Sequence, residues 1–249
     1  MAVDVEVNDR VLLIRMQRSE KRNAVDSQMA IGISAALDRL DDDPALWVGI
    51  LTGTPDIFCA GTDLRDGVNA GTERGGEYGI IRRRRRKPLI GAVEGIAFGG
   101  GMEIALACDL IVASTSARFA LPETRRGLLP TSGALFRAIR ALPLHIAKQL
   151  MITGAELSGE RAYSLGLVNV LAEPGAAVDE ALRLARDICS SSPVAVQAAL
   201  GAVAAQFETS DHAGWEATAN AMAAIAASAD AREGIAAFFE KRSPRWQGQ

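Results

Sequence analysis

The sequence predicts an α/β fold with sheets covered on both faces. Three observations carry that expectation. The strand-like segments run apolar instead of alternating with polar residues. They are separated by segments with helical spacing or by glycine turns. The last sixty or so residues turn alanine-rich and helical.

Val3 to Val7 and Val11 to Met16 read as two strands joined at Asn8-Asp9. Ser27 to Leu40 carries apolar residues at helical spacing and stops at Asp41-Asp42-Asp43-Pro44, a breaker. Trp47 to Leu51 reads as a buried strand closed by Thr52-Gly53. Asp63 to Gly79 is polar and glycine-rich, a loop or loose helix. Leu89 to Val93 is a further strand; a glycine cluster, a short helix and the strand Leu110 to Ala113 follow. The character changes at Ser190-Ser191-Ser192-Pro193. Helices are expected beyond it over roughly Val194 to Phe207, Gly214 to Ala227 and Asp230 to Lys241. They would bury their apolar faces poorly alone, so they are expected to pack on the first part or on another subunit. The chain divides into a core, 1–190, and a C-terminal helical region, 191–249.

The bulk properties exclude several classes. A chain of 249 residues that is 49% apolar, with a formal net charge of -3, reads as a globular protein with a sizeable core. No apolar run approaches the roughly 18 residues of a membrane helix, so no membrane partner is expected. The acidic start Met1-Ala2-Val3-Asp4 is unlike a signal or transit peptide, and the expected location is cytoplasmic. Cys59, Cys108 and Cys189 form no C-x-x-C pair, and His145 and His212 are isolated. Neither a disulfide nor a metal site is expected. Catalysis must then lean on carboxylates, backbone or a cofactor.

The most informative stretch is Gly95-Ile96-Ala97-Phe98-Gly99-Gly100-Gly101-Met102-Glu103, which follows a strand and opens a helix. Its plainest reading is a tight turn. As a dinucleotide fingerprint it fails: alanine replaces the glycine that admits the pyrophosphate, and the helix is too short. As an oxyanion site it offers free N–H groups at a helix start. Glu103 sits in the first turn of that helix among apolar neighbours, and Glu123 follows the strand Phe119-Ala120-Leu121 at Pro122. A lone glutamate is most often solvated. A buried one needs a partner or a task. A second loop, Ile57-Phe58-Cys59-Ala60-Gly61-Thr62-Asp63-Leu64, also follows a strand and offers a second donor.

Together these stretches resemble the enoyl-CoA hydratase/isomerase (crotonase) family. The matching pieces are Lys21-Arg22-Asn23-Ala24, Phe58 to Leu64, Lys87-Pro88 to Gly95, Gly99 to Glu103, Ala107-Cys108-Asp109, Phe119 to Glu123, Gly166-Leu167-Val168-Asn169 and Phe238 to Arg242. They occur in family order over nearly the whole chain. The resemblance implies a spiral of ββα units with a C-terminal helical region that builds homo-trimers, usually stacked as hexamers. It also implies an acyl-CoA thioester substrate, no metal, and no cofactor beyond the coenzyme A carried by the substrate. The backbone N–H groups of Thr62 and Gly100 would form the oxyanion hole, and Glu103 and Glu123 would be the catalytic pair. Arg22, Ala24, Ala60, Gly61, Thr62, Asp63 and Leu64 would hold the CoA moiety, with Phe239 and Lys241 reaching a neighbouring subunit's CoA. Because both glutamates are present, hydration of a trans-2-enoyl-CoA is the expected reaction, with lipid catabolism the default setting. Double-bond isomerisation, which runs with Glu123 alone, or another acyl-CoA reaction stands as the alternative. Thr62 replaces the alanine of many hydratases, and Pro130-Thr131-Ser132-Gly133-Ala134 replaces a more glycine-rich stretch.

The basic run Arg82-Arg83-Arg84-Arg85-Arg86-Lys87 is expected to fill a helix end before the strand at Leu89, mostly solvated. One or two of its cations would pair with acids or approach CoA phosphates. A polyanion-binding role is disfavoured, since no aromatics interleave the arginines and Tyr78 is the nearest. No nucleic-acid partner is expected.

Overall fold

Apolar strands need cover on both faces, and that requirement sets the layering. The structure, a computed structural model, describes residues 2–65 and 71–248. The strands β1 (Val3–Asn8), β2 (Val11–Met16), β3 (Val48–Thr52), β4 (Leu89–Val93), β6 (Leu110–Ser114) and β9 (Val170–Ala172) form one six-stranded sheet in the order β1-β2-β3-β4-β6-β9. Only β1 is antiparallel to its neighbour. Successive strand residues point to opposite faces. Val11, Leu13, Val48, Ile50, Ile90, Ala92 and Val112 pack on Ala177, Ala181 and Ala185 of helix α6 (Ala177–Cys189). Leu12, Ile14, Met16, Leu51, Leu89, Val93 and Ile111 turn the other way and join the larger core with helix α1 (Ser27–Asp42). Each fully buried valine, leucine, isoleucine or methionine among them contributes about 1.5–3 kcal/mol.

The larger core continues into a second layer. There β5 (Ile96–Phe98), β7 (Arg118–Ala120) and β8 (Glu156–Ser158) form a three-stranded sheet in the order β5-β7-β8. The helix α2 (Gly100–Leu106) follows β5 directly. Helices α3 (Ala134–Ala141), α4 (Leu144–Thr153) and α5 (Gly159–Ser164) complete the core, with His145 in the first turn of α4.

Three expectations need correction. The C-terminal region holds one 34-residue helix, α7 (Pro193–Ala226), and not two, followed by α8 (Ala229–Glu240). The polar stretch Glu208 to Ala213 has few apolar residues, yet it stays helical and is tied to α3 by Arg140, which meets Asp211 and Ser210. Second, the basic run is not helical: residues 82–88 are irregular. Pro88 disfavours α geometry for Lys87, and six adjacent cations on a helix would repel at i,i+4. Third, the run is not mostly solvated. It alternates: Arg83 and Lys87 are buried and Arg85 is mostly so, while Arg82, Arg84 and Arg86 face outward. Part of the predicted Asp63–Gly79 loop, 66–70, lies outside the described residues; the rest contains a 3-10 turn, Glu77–Gly79. No single described helix is long and apolar enough to cross a membrane.

Candidate active site

Three chain segments meet at the end of β5. The first is the turn at Arg22 and Asn23, both with positive φ of 52°. Buried Asn23 donates from Nδ2 to the carbonyls of Ile57 (2.8 Å) and Phe58 (3.2 Å), fixing the second segment against it. The second segment is threaded between the other two. Ala60 N–H donates to the Arg22 carbonyl (3.0 Å) and Val25 N–H to the Gly61 carbonyl (2.8 Å). On its other side Cys59 N–H donates to Ile96 and Phe98 N–H to Cys59, at 2.9 and 3.0 Å. These bonds bring Thr62 beside the start of α2: a Cβ on Gly61 would lie 3.1 Å from the Gly100 nitrogen.

The glycines at α2 are required by what crowds them. Gly99 has φ of 54°, and a Cβ there would meet Oε1 of Glu123 at 2.9 Å. A Cβ on Gly100 would lie 2.3 Å from the phenolic oxygen of Tyr78. Bare backbone at both positions leaves room for a carboxyl and a hydroxyl at one helix start.

A cavity of about 790 Å³ opens here. Of the residues predicted from sequence, Arg22, Ala60, Gly61, Thr62, Leu64, Gly100, Glu103 and Glu123 line it. Ala24 and Asp63 are not among the lining residues. Arg18 reaches from the Ala24 carbonyl (2.7 Å) to the Asp63 carboxylate (2.8 Å) and so braces the loop. Phe239 and Lys241 do not enter the cavity of this chain; Phe239 lies exposed against Phe238, and Lys241 ends α8 with φ of 54°. Sequence reasoning missed Tyr78, Arg126 and the wall built by Met222 of α7 and Arg232 and Ile235 of α8.

Both carboxyls are held in poorly solvated surroundings. Glu103 is buried, and its Oε1 accepts the N–H groups of Ser132 (2.6 Å) and Ala134 (3.2 Å). Burial, with the charge of Glu123 adding to it, raises its pKa to about 8 despite those bonds and the nearby Arg137. Glu123 keeps some residue exposure, but its Oε2 is enclosed and makes no hydrogen bond. Burial raises its pKa to about 7 against the opposing pull of its own backbone N–H and Arg126. Between those values the pair carries about one proton, which equips it to give and take protons near neutrality. Burial pushes the adjacent Cys59 thiol to about 12, so it is not a nucleophile at neutral pH.

The enoyl-CoA hydratase/isomerase family model matches residues 6–249. The mevalonyl-coenzyme A hydratase of Aspergillus fumigatus is 34% identical, with 95% of this chain and 91% of that protein covered. The 2,3-dehydroadipyl-CoA hydratase of Escherichia coli is 33% identical, with 98% of each covered. Among solved structures, a carnitinyl-CoA dehydratase from Mycobacterium avium superposes with a TM-score of 0.93 at 39% identity, covering 100% of this chain and 99% of that one. The spiral fold expected from the resemblance is therefore present, and the cavity with its two glutamates lies within the matched region. The chain belongs to the enoyl-CoA hydratase/isomerase (crotonase) family.

Proposed function

We propose that the protein reversibly adds water across the double bond of a trans-2-enoyl-CoA. The observation that carries this reading is that two carboxyls with raised pKa share one cavity with the backbone of Thr62 and Gly100. The thioester oxygen accepts from the two backbone N–H groups. Attack of water at the β-carbon moves electron density onto that oxygen, where preorganised donors stabilise it; losing one such donor costs about 3–4 kcal/mol. One carboxylate takes a proton from the attacking water as its oxygen bonds to the β-carbon. The other carboxyl delivers a proton to the α-carbon as the enolate collapses. The sum is one water added, and the reverse path exchanges the two roles. Coenzyme A enters as part of the substrate.

Crotonyl-CoA incubated with the protein in D2O tests this. The expected product is 3-hydroxybutyryl-CoA carrying one deuterium at C2, read by mass spectrometry. Crotonyl-CoA left intact, with a 3-enoyl-CoA converted instead, would replace the hydratase reading by isomerisation.

We also infer that copies of the chain associate through α7. Thr218 is its one buried residue among those described, whereas Val194, Val203 and Phe207 are 76%, 57% and 43% exposed. An apolar helix of 34 residues needs a partner surface. Sedimentation velocity is expected to show trimers or larger; a species of 26.3 kDa at micromolar concentration sinks the inference.

A further inference from the structure

The phenol of Tyr78 stands at the proposed oxyanion site, and nothing in the chemistry above uses it. Its hydroxyl lies 2.8 Å from Oγ1 of Thr62. The same oxygen lies close over Gly100, so near that an added Cβ would be only 2.3 Å away. Tyr78 thus touches both residues whose N–H groups bound the site, and it lines the cavity. It is almost wholly buried, at 3% exposure.

The chain goes to some length to place it. Tyr78 has φ of 55° and ψ of 10°, the left-handed region that a bulky side chain avoids. Such a conformation persists only where the surroundings over-determine it, and it clusters at functional sites. Here the surroundings do so. Ile81 N–H donates to the Glu77 carbonyl (3.1 Å) and Arg82 N–H to that of Gly75 (2.8 Å). The Arg82 side chain pairs with Glu77 at 3.0 Å and stacks on Trp215 at 3.7 Å. Arg83 pins the same turn to α1 through Asp38 and Asp41, at 2.8 and 3.2 Å.

We infer that Tyr78 is a third hydrogen-bond donor to the thioester oxygen, oriented by the Thr62 hydroxyl. When Thr62 Oγ1 donates to the phenolic oxygen, the phenolic proton is delivered to the ligand oxygen held by the two backbone N–H groups. Such a donor stabilises the enolate-like state more than the ground state, and so acts on turnover more than on binding. The inference rests on the thioester reading.

The test uses acetoacetyl-CoA, a 3-ketoacyl thioester whose bound enolate is read by its ultraviolet absorbance as pH is varied. Tyr78→Phe is expected to raise the pH midpoint of the bound enolate by about 2 units and to lower crotonyl-CoA turnover ~10²-fold, with KM within about threefold. Thr62→Val, which keeps the backbone N–H, is expected to shift the midpoint the same way by a smaller amount. It supplies the measurement should Tyr78→Phe not fold. A midpoint unchanged in a folded variant overturns the inference and leaves Tyr78 as a wall. Failure of wild-type protein to bind acetoacetyl-CoA at all overturns the thioester reading, and this inference with it.

Discussion

Glu103→Gln and Glu123→Gln are each expected to lower hydration turnover by ~10²–10⁴-fold with little change in KM. Gln keeps the shape and, at position 103, an oxygen to accept the Ser132 and Ala134 N–H groups. What it loses is the proton. With values of about 7 and about 8 for the two carboxyls, wild-type activity is expected to follow a bell with its maximum between them, both limbs belonging to the coupled pair. Residual activity of either variant is expected to lose one limb of the bell, since a single titrating carboxyl remains. Full turnover in either variant would end the assignment of two working carboxyls. Stability is expected to move the other way. Both carboxyls bind protons more tightly folded than at their ordinary value of 4.5, so the folded state holds more protons across that window. Stability therefore falls as pH rises from about 4.5 through about 8, and each Gln variant is expected to be flatter over that range and more stable than wild type at its upper end. Thermal melts at the two ends of the window measure it.

The parts of the site that were legible in the sequence are those fixed by local chain geometry. Gly99-Gly100-Gly101 after a strand marks a helix start, and Glu103 in its first turn follows from helical spacing. Glu123 sits where β7 has ended at Pro122, and the structure carries it to Gly99. The loop of Ala60 to Leu64 was legible as a turn after a strand, and it lines the same cavity through Ala60, Gly61, Thr62 and Leu64. Tyr78 was not legible, because its place depends on a left-handed backbone that no propensity assigns to tyrosine and on a contact to Thr62 across a long loop. Arg126 and the α8 wall were missed for a related reason. They are brought in by docking of α8 on the 3-10 turn Glu123–Arg126, where a Cβ on Gly234 would lie 2.1 Å from the Arg126 carbonyl. Phe239 and Lys241, by contrast, remain outside the cavity of one chain.

Arg83→Met is expected to destabilise the protein by about 3–5 kcal/mol, whereas Arg84→Ala, one residue along the same run, is expected to stay within about 0.5 kcal/mol. The difference lies in what each side chain meets. The Arg83 side chain is 1% exposed and its guanidinium spans Asp38 (2.8 Å), Asp41 (3.2 Å) and both oxygens of Ser34 (3.0 and 3.1 Å). Asp41 is itself only 4% exposed, so truncating Arg83 strips a buried carboxylate of its near cation; Arg74 stands 4.0 Å off. Arg84 is 86% exposed, and its pair with Glu208 is screened by solvent. The neighbours extend the pattern. Lys87 Nζ donates to the carbonyls of Leu40 (2.7 Å) and Asp43 (2.6 Å), closing the end of α1. Arg85 donates to the Ala107 carbonyl (2.9 Å) and to Asp109 (3.0 Å), closing the end of α2. The inward-facing half of the run is therefore committed to carboxylates and helix-end carbonyls, which is a physical reason for so many cations in a chain of net charge -3 without any polyanion. Urea denaturation compares the variants directly. Removing both charges, as Arg83→Met with Asp41→Leu, is expected to recover most of the loss, since a buried pair replaced by apolar side chains is close to neutral. If Arg83→Met costs no more than Arg84→Ala, the buried pair does not hold the Tyr78 segment to α1, and the anchoring of Tyr78 must be sought in Arg82 and Trp215 instead.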